Sequence, residues 1–247
     1  MATPFRFGCP STSEVVGGGA TSIYDVVVLA DILRSVEAGM LPPTDGRIEI
    51  VPAPAERISA VVCFTGHIVV AADVEESWVR DQLPDGDLSA ALNPPFLHAL
   101  EQRLNRRVNC LDMVTSAAPL DGPPPVALTE VAELDHPRVR RAQRYRDSVR
   151  VWTAYGGVLV MGCGLAGRLE AAIEVDPDAR GTGLGRALAI AARHLVPHDR
   201  RVWAQIAPGN AASVRTFLGA GFTPVGSEAL LVPLAYGLAT SVSSALP

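Results

Sequence analysis

The residues best equipped for chemistry lie between Glu174 and Leu188, in the run Glu-Val-Asp-Pro-Asp-Ala-Arg-Gly-Thr-Gly-Leu-Gly-Arg-Ala-Leu. A β-rich stretch stops at Pro177, a short loop holds three alternate glycines, and a helical pattern begins at once. Gly181, Gly183 and Gly185 have no Cβ to obstruct, so successive backbone N–H groups can turn toward one point. Amides gathered at a helix N-terminus form an anion-binding concavity suited to a pyrophosphate. Arg180 and Arg186 flank it and can add charge-assisted contacts. Two other phosphate motifs fail on spacing or composition. A dinucleotide fingerprint begun at Gly181 needs glycine where Arg186 stands, and one begun at Gly183 needs it where Leu188 stands. A Walker-type loop needs a lysine, and all 21 basic residues of this chain are arginine. For the glycines alone, a plain strand-to-helix turn remains open.

The surrounding residues narrow the choice. Arg180-Gly-Thr-Gly-Leu-Gly185 has the spacing R/Q-x-x-G-x-G/A, and Val175-Asp-Pro177 supplies a preceding V-x-P. The segment resembles the coenzyme A loop of the GNAT superfamily of acyl-CoA-dependent N-acyltransferases. Downstream, Asn210-Ala-Ala-Ser-Val-Arg-Thr-Phe-Leu-Gly-Ala-Gly-Phe222 is similar to that family's N-x-x-A-x-x-x-Y-x-x-x-G-F helix, with Ser213 at the Ala position. The resemblance covers about residues 122–235 and is clearest over 170–225.

It implies an N-acetyltransferase that moves an acetyl group from acetyl-CoA, as co-substrate, to a primary amine of a small molecule or peptide by direct attack. A catalytically silent acyl-CoA-binding module is the alternative. It further implies that the strand before the loop splays from its neighbour and that the acyl-pantetheine arm lies in the gap. Backbone groups near Ile173 and Val175 would hold the arm. The amides of Gly181, Thr182, Gly183, Leu184, Gly185 and Arg186 would hold the pyrophosphate. Asn210 would contact the coenzyme near its reacting end, although Asn before Ala-Ala-Ser is also a good helix N-cap. The family's tyrosine, which can protonate the departing thiolate, aligns with Phe217, which has no proton to give. Tyr145, Tyr155 or Ser213 could serve instead, or solvent could, since a thiolate of pKa about 8.5 leaves tolerably unaided.

Direct transfer also needs a group to take the amine proton. Glu170 and Glu174 are an even number apart and so face one side of a strand. Glu174 lies closer to the loop and is the first choice of base, Glu170 the second. Each could equally be a salt-bridged strand residue.

These residues require elements to hold them. Hydrophobic spacing predicts a helix over 22–37, a strand over 47–51, a hairpin over 58–74, a helix over 89–105 and a strand over 108–114. Beyond a proline-rich linker at 119–125, it predicts strands at 126–131, 149–154, 157–163, 169–175, 201–206 and 225–232. Helices are expected from Pro137 with Val139, Ala142, Tyr145 and Val149 on one face, over 183–195, and over 211–218. The fold class expected is α/β: a GNAT-like, mixed, mostly antiparallel central sheet flanked by helices, preceded by a smaller α/β N-terminal domain. The expected division is a flexible 1–20, an N-terminal domain 21–118 that could itself be a degenerate acyltransferase, the linker, a catalytic domain 126–237 and a tail 238–247.

Composition excludes several chemistries. Without lysine there is no Schiff-base nucleophile. A formal charge of -5 argues against a nucleic-acid partner. The longest apolar stretch, 58–74, is broken by Thr65, Gly66 and His67, so no membrane span is expected. Four cysteines at 9, 63, 110 and 163 lack paired spacing and read as free thiols, which suggests the cytoplasm. His194 and His198 have metal-pair spacing, but Pro197 stands between them, so no metal is expected. The arginines at 138, 140, 141, 144, 146 and 150 read first as a solvated helix face and second as an anion site beside the acceptor cleft. Oligomeric state leaves no trace in the sequence.

Overall fold

The computed structural model describes residues 28–237. Two compact units divide the chain, Met1–Leu41 with Asp112–Gly226 and Pro42–Leu111 with Ser227–Pro247.

The first unit begins with α1 (Leu29–Glu37), and the expected helical residues 22–27 lie outside the described ones. It continues with the second half of β4 (Arg106–Ala117), β5 (Thr129–Val131), α4 (Pro137–Tyr145), β6 (Asp147–Ala154), β7 (Gly157–Cys163) and β8 (Leu169–Val175). Then come α5 (Leu184–His194), β9 (Val202–Ile206), α6 (Ala211–Gly219) and the start of β10 (Thr223–Pro233). The strands lie in the order β4-β9-β8-β7-β6-β5, all antiparallel except the β8–β9 pair.

Alternation along β7 and β8 separates two cores. Leu159, Met161, Leu169 and Ala171 meet Leu188, Ala191 and Ala192 of α5, whose small side chains let the helix lie close to the sheet. Val158 and Val160 meet Val139 and Ala142 of α4 on the opposite face. Each fully buried leucine here is worth about 1.5–3 kcal/mol of transfer free energy.

β7 and β8 fall at the bounds expected from sequence. The helix from Pro137 does not reach Val149. It ends at Tyr145, Ser148 takes a φ of +49°, and a register shift between Asp147 and Arg150 opens β6.

The second unit holds β1 (Ile48–Val51), the hairpin of β2 (Ser59–Phe64) and β3 (His67–Ala71), α2 (Glu76–Gln82), α3 (Pro94–Leu104), the first part of β4 and the end of β10. Its strands lie in the order β1-β3-β2-β10, with β1 parallel to β3. α2 leaves no periodic apolar signal in the sequence because Val79 is its one buried residue. Of the three borders between the units, one follows α1 at Leu41 and two fall inside strands, β4 and β10; none falls in the 119–125 segment.

Among the cysteines, Cys163 is disulfide-bonded, so the expectation of four free thiols fails there. Cys63 and Cys110 are in no disulfide and keep their thiols. No helix among the described residues is long and apolar enough to cross a membrane.

Candidate functional site

The glycine loop closes β8 and opens α5. Pro177 has no N–H to continue a ladder, and it starts a single 3-10 turn, Pro177–Ala179. The Asp176 amide donates to the Gly156 carbonyl at 2.9 Å, tying the loop's entry to the β6–β7 turn. The Thr182 hydroxyl donates to the Ala179 carbonyl at 2.7 Å, and Arg180 Nε reaches the Val175 carbonyl at 3.3 Å. Gly181 and Gly183 hold φ of +77° and +90°, and an added Cβ at either would meet nothing within 4 Å. Their need for glycine is therefore conformational, and it leaves open space above the turn. At Gly185 a Cβ would sit 3.5 Å from Thr216 and Val175 side-chain carbons, ordinary contact distance.

Gly183 is the N-cap of α5 and makes no side-chain cap bond. The first amides of the helix, at Leu184, Gly185 and Arg186, have no acceptor within it. Among the other helices of this unit, α1 also lacks a side-chain cap, while α4 and α6 have one. His136 accepts from the Arg138 amide in α4, and Asn210 Oδ1 accepts from the Ser213 amide at 3.0 Å in α6.

The gap expected beside the loop has a counterpart in the ladder. β8 pairs with β9 only at Leu169↔Val202 and Glu170↔Trp203, and no pairing follows toward Ile173 and Val175. Residues 172–175 are accordingly half-buried, where a fully paired central strand would be covered.

Glu170 and Glu174 share the α4 face but not an environment. Glu170 is 3% exposed and receives Arg146 Nε at 2.8 Å, Arg168 Nε at 2.7 Å and the Leu165 amide at 3.2 Å. Burial pushes its carboxyl up, but the guanidiniums of Arg168 and Arg146, with the Leu165 bond, outweigh this and hold it below its ordinary value of 4.5. The approach is close. A Cβ on Gly164 would lie 2.1 Å from the Glu170 carboxyl carbon, so only glycine leaves it room. Arg168 also lies 5.4 Å from the Trp203 ring, whose Nε1 donates to Glu37 at 2.8 Å. Arg146 extends further, to the Glu170 carbonyl and to Gln205 Oε1 in β9, each at 3.5 Å. Glu174, by contrast, is 34% exposed and accepts from Arg138 Nε at 3.1 Å.

The loop residues 180–186 and the strand residues Ile173 and Val175 thus converge at one end of β8. Arg186 turns toward α6, its Cδ 3.9 Å from where a Cβ on Gly219 would lie. Phe217 is 4% exposed and meets Phe222 edge to face with ring centroids 5.0 Å apart, within the α5-side core. Of the possible proton donors, Tyr145 lies under Arg141 at 5.1 Å and Tyr155 is fully exposed on the β6–β7 turn.

The arginines of α4 and the start of β6 are largely paired. Arg138 serves Glu174, Arg140 serves Asp135, Arg146 serves Glu170 and Arg150 serves Glu130. His194 Nδ1 lies 3.0 Å from the Gly122 carbonyl. Arg146, Arg168 and Gln205 were not singled out from the sequence as partners of Glu170. Nothing local distinguishes a buried arginine from its exposed neighbours on such a helix.

Residues 125–222 match the model of the acetyltransferase (GNAT) family. The match places a GNAT acetyltransferase domain over that segment, less than half of the chain. Among solved structures it is similar to a GCN5-related N-acetyltransferase from Kribbella flavida, at 16% identity and a TM-score of 0.36, over 56% of this chain and 63% of that one. A GCN5-related N-acetyltransferase from Sphaerobacter thermophilus is similar at 16% identity and a TM-score of 0.34, over 58% and 55%. No curated protein matches in sequence.

Proposed function

We propose that the domain transfers an acetyl group from acetyl-CoA to a primary amine of a small molecule or peptide. The observation that carries this reading is the uncapped start of α5 beneath an open glycine turn, placed where β8 has parted from β9. The amides of residues 181–186, with Arg180 and Arg186, take the coenzyme's pyrophosphate. The pantetheine arm lies along Ile173 and Val175. Asn210 caps α6 and turns its amide nitrogen to the coenzyme.

The amine nitrogen attacks the thioester carbonyl carbon and forms the new C–N bond. Backbone donors receive the oxyanion. The C–S bond then breaks and the coenzyme leaves as thiolate. Glu174 takes the amine proton, directly or through water, because it is the carboxylate of the strand that solvent and an acceptor can reach. Glu170 already receives three donors, and we assign it to holding the strand. With Phe217 buried, solvent protonates the thiolate. Phe217 also favours a second reading, an acyl-CoA-binding module without turnover. Thiol release against a panel of amines separates the two, since turnover with any acceptor removes the silent reading.

Titration calorimetry with acetyl-CoA tests the coenzyme site. The wild type should bind at micromolar concentration. Gly183→Trp, which combines a strained φ with bulk in the turn, should weaken binding at least about tenfold, or ~1.4 kcal/mol. Absence of any affinity in the wild type overturns the reading.

A further inference from the structure

The end of the β8–β9 gap is closed by a side chain that no motif includes. The strands pair last at Glu170↔Trp203. At that point Arg146, the residue that follows α4 as its C-cap, lays its guanidinium across the divergence. Nε holds the Glu170 carboxylate at 2.8 Å, Nη1 the Glu170 carbonyl at 3.5 Å on β8, and Nη2 the Gln205 Oε1 at 3.5 Å on β9. One planar group therefore touches both strands where they separate. Its side chain is 10% exposed.

A chain running into the gap from the loop end meets two walls. On the α5 side stand the close-packed Leu188, Phe217 and Ile206. On the α4 side stands the Arg146–Glu170 ion pair. An apolar tail pressed against that pair would displace its hydrogen bonds and leave a buried charge uncompensated, which is costly.

We propose that Arg146 is a positioning residue that sets the depth of the acyl pocket: by bridging Glu170 and Gln205 it closes the inner end of the β8–β9 gap and confines the donor to short acyl groups. The inference rests on the coenzyme reading above and names the donor class for that same site. A fork is required for it. Lysine keeps the charge and can pair with Glu170, but a single ammonium cannot present two separated donors in one plane.

The test compares the affinities of acetyl-CoA, hexanoyl-CoA and free coenzyme A by calorimetry, which needs no acceptor. Wild type should prefer acetyl-CoA over hexanoyl-CoA by about tenfold. Arg146→Lys should bring that ratio near one while free coenzyme A binds within about twofold of wild type. A role in charge alone predicts instead that lysine restores the wild-type ratio. Gln205→Leu cuts the β9 end of the bridge without stranding a charge, and it should shift the ratio the same way. It decides the matter should Arg146→Lys not fold. An unchanged ratio in a folded variant overturns the proposal, as does a wild type that binds both donors equally. A wild type that binds none of the three ligands overturns the coenzyme reading first, and this one with it.

Discussion

Replacing Glu170 by glutamine separates a structural from a chemical role for the carboxylate. In the wild type it joins two guanidiniums whose side chains are 10% and 1% exposed, at Arg146 and Arg168. Glutamine preserves shape and can accept one bond, but it carries no charge. Both arginines then remain buried beside a neutral amide. Removing one partner of a buried ion pair costs about 3–5 kcal/mol, because the surviving charge stays desolvated. At roughly 2–4 °C per kcal/mol for a chain of this size, Tm should fall by about 10 °C.

A pH series supplies the sign. The folded carboxyl is held below its ordinary value of 4.5, so its contribution is complete above that pH. It is lost as pH falls from about 4.5 through the folded value, because the unfolded chain binds the proton first. Wild-type stability should therefore drop across that window, and the Glu170→Gln curve should be flatter there. Thermal unfolding followed by circular dichroism measures both. A variant that keeps its Tm within about 2 °C and loses only turnover would refute the structural assignment and return Glu170 to the chemistry.

Two further outcomes follow from single contacts. Asn210→Ala removes the bond to the Ser213 amide and should cost about 1 kcal/mol in unfolding free energy. Asn210→Ser keeps a capping oxygen and should hold Tm while weakening acetyl-CoA binding about fivefold; unchanged affinity would restrict Asn210 to capping. Burial pushes the Cys63 thiol up to about 12. Iodoacetamide at pH 8 should alkylate it roughly a thousandfold more slowly in the native protein than after denaturation, read by mass spectrometry, and fast native labelling would contradict its burial.

The glycine turn was legible because its signals are local. Proline ends the strand, alternate glycines permit positive φ, and Leu188, Ala191 and Leu195 recur at helical spacing. β7 and β8 were legible because bounded apolar runs with glycine at their ends leave few other readings. What stayed hidden depends on partners distant in sequence. The arginines of α4 look alike in one dimension, yet Arg141 stands over Tyr145 at the surface while Arg146 is nearly enclosed. Likewise, α1 lies over a hundred residues before β9, and no local pattern announces that Glu37 will meet Arg200 and Trp203.

The two glutamates show why an even spacing could place them on one face but not assign their roles. Four strand residues advance about 13 Å. The eight steps from Arg138 in the first turn of α4 to its C-cap Arg146 advance about 12 Å. The two rises match, so α4 running antiparallel to β8 brings Arg138 to Glu174 and Arg146 to Glu170 at the same time. The chemistry of the two pairs is the same, and only their place along the diverging strands differs. Glu170 sits where β8 and β9 still pair, and is 3% exposed; Glu174 sits beyond the divergence, and is 34% exposed. The opening of the sheet therefore turns one repeated ion pair into a buried clasp at its closed end and a reachable carboxylate at its open end. For the acetyl transfer proposed above, the closed end would serve as a fixed inner wall and the open end would offer the group that meets the incoming amine. If Glu174 is the base proposed above, charge reversal of the outer pair, Arg138→Glu with Glu174→Arg, should leave Tm nearly unchanged in thermal unfolding while abolishing thiol release with an amine acceptor.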